Sequence, residues 1–242
     1  MQQVSKLCKN CDHALTGKFC SNCGQKANIH RIDLKHLIHE FFHALTHFDR
    51  GFFYTAKEMI IRPGNAIREY LEGKRISHPS PIVMLLIVGG LCSLVYYQFE
   101  LKLITLFKIS ELDAGFKGID SKFFAALYIV YSLIFSLCDS IIFRYKNYRF
   151  GEYFILNVFI SNQVCLFQIC LVPLWLVGRE YGINNYFRIL IGIGYIVYFI
   201  FVRYQFFEVK NDNLSKRKLI LEGIVFFLLF FAFSWKTISQ FL

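Results

Sequence analysis

Five apolar stretches, each about the length that crosses a bilayer, follow one another through residues 81–235. A hydrocarbon core of about 30 Å takes about 20 mostly apolar helical residues. The stretches run from Pro81 to Phe99, Phe123 to Phe143, Tyr153 to Val177, Phe187 to Phe207 and Leu219 to Trp235. Inside lipid every backbone polar group must be bonded by the chain itself, which leaves helices or a closed barrel. Barrel strands alternate polar and apolar residues, and these stretches are apolar on all faces. The sequence therefore predicts an all-α integral membrane protein with about five transmembrane helices. The 28 phenylalanines, against 17 acidic residues in all, fit a surface that faces lipid.

The segments between the stretches set an orientation. Residues 1–80 hold 12 Lys and Arg, the segment after the second stretch holds 3, and residues 203–218 hold 5. The alternate segments hold 4, 2 and 1, and the 4 in residues 100–122 are balanced by Glu100, Glu111, Asp113 and Asp120. By the positive-inside bias, the N-terminus is expected in the cytoplasm and, with five spans, the C-terminus outside. The first 78 residues contain neither a signal-peptide pattern nor a lipidation motif, so the first span is expected to act as the insertion signal. The net charge of +10 then falls mainly on segments facing anionic head groups. No basic stripe interleaved with aromatics appears outside the membrane-proximal region, which argues against nucleic-acid binding.

Ahead of the spans lies Cys8-Lys9-Asn10-Cys11, then Cys20-Ser21-Asn22-Cys23-Gly24. Each pair sets two thiolates on a tight turn, with Gly24 free to turn after the second, and the spacer is long enough for a small hairpin through Thr16 and Gly17. Four thiolates close a tetrahedral site with no open position, as in a structural zinc ribbon. A redox dithiol is disfavoured by the reducing cytoplasm and by the second, matching pair. So small a unit has almost no core, and metal binding would supply most of its folding energy. Cys92, Cys138, Cys165 and Cys170 are scattered through apolar runs, where cysteine packs as a small hydrophobe.

Residues 29–49 match a different metal pattern. His39-Glu40-Phe41-Phe42-His43 has the spacing that in metalloproteases puts two zinc ligands one turn apart beside a general-base glutamate. A third ligand is needed. His47 lies too far along a continuous helix, which leaves His30, His78, Asp49 or Glu58 as remote candidates. On the same helix His36, Glu40, His43 and His47 form one face, and Leu34, Leu37, Ile38, Phe41, Leu45 and Phe48 form the other. The simpler expectation is an amphipathic helix whose apolar stripe rests on the membrane or the bundle.

Two short helices should follow, the first from Gly51 to Ile61 with Asp49 as a cap and Phe52, Phe53 and Tyr54 suited to an interface. Arg62-Pro63-Gly64 separates it from a second, which runs to Glu72 and stops at Gly73. His78-Pro79-Ser80-Pro81 makes a stiff lead into the first span. Lys57, Arg62, Arg68, Lys74 and Arg75 form a basic patch, read as membrane anchoring or as a site for a phosphorylated lipid or an acidic partner. The domain plan is thus a ribbon over residues 1–27, amphipathic interfacial helices over 28–78, and a helical bundle over 79–242.

These motifs together resemble a family. The two knuckles, the run from His39 to Thr55 with Asp49-Arg50-Gly51, and the run from Arg62 to Arg75 before a proline-marked span are similar to an uncharacterised bacterial inner-membrane family. That family carries an N-terminal zinc ribbon and is catalogued only as a domain of unknown function. The resemblance covers roughly residues 8–95. It implies an inner-membrane location and a cytoplasmic head, and brings no activity, substrate or cofactor.

Within the spans, Asp139 and Glu222 are the clear ionisable residues, and both fall near cytoplasmic ends where head-group water, Arg144 or Lys218 is expected to meet them. In the third span Asn157, Ser161 and Gln168 share a face, with Asn162 and Gln163 alongside, a pattern expected to form interhelical hydrogen bonds. Gly192 and Gly194 are expected to allow close helix approach, and Pro173 to kink the third span. The leading functional expectation is a non-enzymatic membrane module whose ribbon and juxtamembrane helices dock a protein or lipid partner. The alternatives are a small transporter using the polar face of span three, or a metal-dependent hydrolase on His39, Glu40 and His43.

Overall fold

The structure, a computed structural model, describes residues 7–28, 51–98, 124–180, 184–207 and 217–220. Among the described residues the fold is carried by α1 (Gly51–Ile61), α2 (Pro63–Glu72), α3 (Pro81–Gln98), α4 (Phe124–Ile142), α5 (Phe150–Glu180) and α6 (Asn184–Phe206). Among the described residues there are no strands, only two isolated antiparallel bridges in the N-terminal segment. Among the described residues three helical stretches are long and apolar enough to cross a membrane, Pro81–Gln98, Ala125–Ile142 and Phe150–Leu174, and the apolar part of α6, Leu190–Phe206, is shorter. This is a helical membrane protein. Most of the fifth stretch lies outside the described residues, as does Glu222.

The helix ends follow from local chemistry. Pro63 and Pro81 occupy first turns, where a missing N–H removes no helical bond. The turn from α4 to α5 contains a short 3-10 helix, Arg144–Lys146, and a left-handed Asn147. At the start of α5 the Glu152 carboxylate accepts the Arg149 N–H (2.8 Å), and the Glu152 N–H donates to the Arg149 carbonyl (2.9 Å). This is a reciprocal cap with an acid in the first turn, where the helix dipole favours it. α5 continues as one helix through Pro173.

α5 is the central helix and packs against α1, α2, α3, α4 and α6. Its polar residues point inward. Ser161 Oγ meets Ser132 Oγ of α4 at 3.0 Å, and Asn162 Nδ2 donates to the carbonyl of Pro81 at 2.8 Å. The Cys92 thiol of α3 donates to Gln168 Oε1 at 3.7 Å. The polar face of span three thus stitches α5 to α3 and α4, the ordinary use of such residues in lipid. The outside is apolar: α4 alone exposes Val130, Tyr131, Ile134, Leu137 and Ile141.

Two charges are placed differently from expectation. Asp139 reaches neither head-group water nor Arg144; it is fully buried against Arg203 of α6, itself fully buried. Arg203 Nη2 donates to Asp139 Oδ2 (3.0 Å) and to Asn157 Oδ1 (2.8 Å), while Asn157 Nδ2 donates back to Asp139 Oδ2 (2.7 Å). The guanidinium lies 3.5 Å from the centre of the Phe199 ring. Arg203 is therefore an internal group of the bundle and not a charge of the following loop. Buried ions are retained where a partner and hydrogen bonds replace water, and here three helices supply both. Lys218 Nζ donates to the carbonyl of Ile142 (2.7 Å) and so neutralises the C-terminal end of α4.

Of the two glycines of the fourth span, Gly194 makes no close approach, and the tightest glycine contacts among the described residues lie elsewhere. A side chain on Gly194 would meet open space, whereas a Cβ at Gly89 would sit 2.9 Å from that of Ala125. At Gly64 it would sit 2.3 Å from the Phe206 backbone nitrogen. Gly89 brings α3 onto α4, and Gly64 seats the first turn of α2 on the end of α6.

Candidate metal centre and its platform

The two cysteine knuckles repeat one backbone design. The Cys8 N–H donates to the His13 carbonyl (2.8 Å) and the Asp12 N–H to the Cys8 carbonyl (2.9 Å). Twelve residues on, the Cys20 N–H donates to the Gln25 carbonyl (2.8 Å) and the Gly24 N–H to the Cys20 carbonyl (2.9 Å). The fifth position of each knuckle has positive φ, 57° at Asp12 and 76° at Gly24, residue types that tolerate the left-handed region. Bridges Leu7–Ala14 and Phe19–Lys26 close each loop on itself, so each knuckle is its own small hairpin and Thr16 and Gly17 only link them.

The repeat brings all four sulfurs within 4.8 Å of one another. Cys8 Sγ lies 3.6 Å from Cys23 Sγ, and Cys11 Sγ 3.6 Å from Cys20 Sγ. A tetrahedron with metal–sulfur bonds of about 2.3 Å has edges of about 3.8 Å, so the four thiols fit a tetrahedral ion. The Cys23 N–H holds the Cys20 thiol down at about 6, so it is a thiolate at neutral pH. Loss of solvent raises Cys23 to about 11. A cation held by all four would displace the protons that the thiols still carry. With all four positions filled by protein, such a site offers structure and no open coordination for a substrate. Among the described residues no other His, Cys, Asp and Glu group is close enough to hold an ion.

The buried Gln25 side chain ties the ribbon to the platform, the loop between α2 and α3. Gln25 Oε1 accepts the backbone N–H groups of Arg75 (3.1 Å) and Ile76 (3.4 Å). Just beyond, His78 Nδ1 is 2.9 Å from the Thr55 hydroxyl, and the ring packs among Tyr54, Tyr70 and Phe159. Burial holds the His78 pKa below the ordinary imidazole range. This loop ties ribbon, α1, α2 and α5 together.

The basic patch is largely committed inside the hairpin of α1 and α2. Arg62 bridges Glu58 and Glu69, which pushes its own pKa up and that of Glu69 down. Lys74 Nζ reaches the same Glu69 at 3.3 Å, and Arg68 donates to Asn65 Oδ1 at 2.6 Å. Arg75 donates to the Tyr70 carbonyl and lies over its ring, while Lys57 is exposed on α1. Glu58 and His78, named as possible remote ligands, have these other partners. His30, His39, Glu40, His43 and Asp49 lie outside the described residues. Sequence reasoning missed the Gln25 contact, which spans fifty positions and has no local signature. It also missed the Asp139–Arg203 pair. Two opposite charges at the same end of the second and fourth apolar stretches were the available signal.

A family model described as a protein of unknown function (DUF3667) matches residues 49–92. That region covers α1, α2, the loop between α2 and α3 and the first two thirds of α3, so the resemblance read from the motifs holds there, without the ribbon. The matched motif reads as architecture: Arg62 fixes the corner, Gly64 seats it on α6, Tyr70 and His78 pack on Phe159, and Gly89 meets Ala125. No curated protein and no solved structure matches the chain.

Proposed function

We propose that this chain is a membrane-anchored docking module of the bacterial inner membrane, with about five spans and a cytoplasmic N-terminus. In this reading Cys8, Cys11, Cys20 and Cys23 hold a structural zinc ion, and the ribbon and juxtamembrane helices present a rigid surface to a protein or lipid partner. Zinc would supply folding energy and no reaction. The observation that carries the reading is the Gln25 clasp: it fixes a closed four-cysteine ribbon to residues 75–76, immediately ahead of the first span. A unit built for catalysis needs an open position, whereas one built to present a surface needs a fixed one. The transporter alternative loses ground because Asn157, Ser161 and Gln168 are spent on contacts between helices.

The test is crosslinking in native membranes from positions on the ribbon, with wild type and Cys8→Ser compared. A defined partner, protein or lipid, captured by the wild type and lost from the variant supports the module. Capture that is indifferent to Cys8→Ser overturns it. The hydrolase alternative would be revived by a second metal ion that survives Cys8→Ser and is lost with His39→Ala, and by loss of cellular function in Glu40→Gln.

A further inference from the structure

α1 and α2 are attached deep along the bundle. Tyr70 and His78 pack on Phe159, and the Pro81 carbonyl accepts a bond from Asn162. These are the tenth and thirteenth residues of α5, about 14 and 18 Å from its start at 1.5 Å per residue. On the other side the Tyr198 hydroxyl donates to the Met59 carbonyl at 2.9 Å, eight residues before α6 ends. One leaflet contributes about 15 Å of hydrocarbon. The hairpin therefore lies at the depth of a leaflet and its head groups.

Its chemistry suits that depth. Arg62, Glu58, Glu69 and Lys74 neutralise one another within the hairpin, as charges beside lipid must. The outward face of α1 carries Phe53, 80% exposed, with Tyr54, Ile60 and Ile61 also exposed. Lys57 stands in the middle of this face, one turn from Phe53 and from Ile60 and Ile61. The face adjoins α6, where Val197, next to the Tyr198 that binds Met59, is exposed as well.

We propose that this face of α1 is a phospholipid-binding surface in the cytoplasmic leaflet. Acyl chains lie over Phe53, Ile60 and Ile61, and the Lys57 ammonium takes the phosphate of the same lipid. The inference rests on the cytoplasmic orientation given above and names the partner of the juxtamembrane surface.

The experiment uses the full chain in vesicles of phosphatidylcholine and phosphatidylglycerol, with Trp175 and Trp235 changed to Phe and F53W as the reporter. The reporter should emit to the blue and be quenched by lipids brominated near the head-group end of the acyl chain. Separately, Lys57→Gln in the otherwise native protein should retain about fivefold less phosphatidylglycerol through purification, read by mass spectrometry. Emission from water-exposed indole that no brominated lipid quenches, or unchanged retention in Lys57→Gln, overturns the proposal. Crosslinks from position 53 to residues 34–48 in place of lipid overturn it too, since the other amphipathic stripe of this chain would then be the occupant. An N-terminal tag cut by protease added outside spheroplasts would instead overturn the orientation. With the tag protected, a failed quenching result falls on the lipid surface alone.

Discussion

The ribbon and the bundle are built inside out relative to each other. The ribbon buries Cys8, Cys20 and Gln25 and leaves Leu7 and Phe19 more than half exposed. The bundle buries Arg203, Asp139, Asn157, Ser161 and Asn162 and turns leucine, isoleucine and valine outward. In each case the interior holds what the surroundings cannot satisfy. In water a unit of about twenty residues has too little apolar area to fold, so its centre is a cysteine cluster shaped for a cation. In lipid, apolar area gives helices no reason to associate, so hydrogen bonds and the Asp139–Arg203 pair are set within the packed apolar interior and join helix to helix. Stability in the two regions should thus answer to different perturbations.

Metal removal is the largest expected effect and should split the regions. Structural zinc contributes on the order of 10 kcal/mol to such small units. Chelation, or Cys8→Ser, should take the zinc content from one per chain to none and open residues 7–28 to proteolysis. The melting of the bundle should stay where it was. A common loss of both would show that the regions fold as one.

The second perturbation strikes only the bundle. Arg203→Leu or Asp139→Leu alone leaves a buried charge without its counter-ion and should cost about 3–5 kcal/mol. The double variant should recover most of that loss, because the uncompensated ion is gone. Thermal unfolding of the four proteins in detergent gives the coupling, while zinc content should remain one throughout. A double variant as unstable as the sum of the singles would mean that the pair acts through separate contacts.

These centres differed in legibility for a physical reason. The metal-site residues can be read off the chain because two short knuckles carry all four ligands, and local spacing fixes local geometry. The apolar stretches are legible because a bilayer imposes length. The ion pair joins residues 139 and 203, and the clasp joins residue 25 to 75 and 76; such contacts depend on helix order and depth, which composition does not encode. Gly64 shows the same gap. Its motif marks a corner between two helices, and only the packing of that corner against Phe206 explains why no side chain fits.

That corner gives the third prediction. Gly64→Val would drive a branched side chain into the backbone of α6 and should destabilise by about 1–3 kcal/mol. Gly194→Ala, facing open space, should change the melt little. A smaller effect, about 1 kcal/mol, is expected from Gln25→Ala, which removes the acceptor for two N–H groups. It should loosen the ribbon from the platform without releasing zinc, seen as faster amide exchange at residues 75–76 with unchanged metal content.

The smallest effect should appear at the seam itself. His78 is buried beside Thr55 and Tyr70, with Glu58, Glu69, Arg62 and Lys74 as its charged surroundings, and its folded pKa is lowered. Above the unfolded value of 6.5 neither state binds the proton, and the group has no pH-dependent effect. Below it the unfolded chain takes a proton that the folded chain refuses, so stability falls as pH drops. Glu69 has a lowered pKa as well, but its contribution is lost only in the carboxylate range. Melts between pH 8 and pH 5.5 should therefore slope downward in the wild type and less so in His78→Gln. Proton competition at the cysteines is common to both proteins and cancels in the difference. Equal slopes would remove His78 from the seam and leave Gln25 as the contact through which the water-built region answers to the lipid-built one.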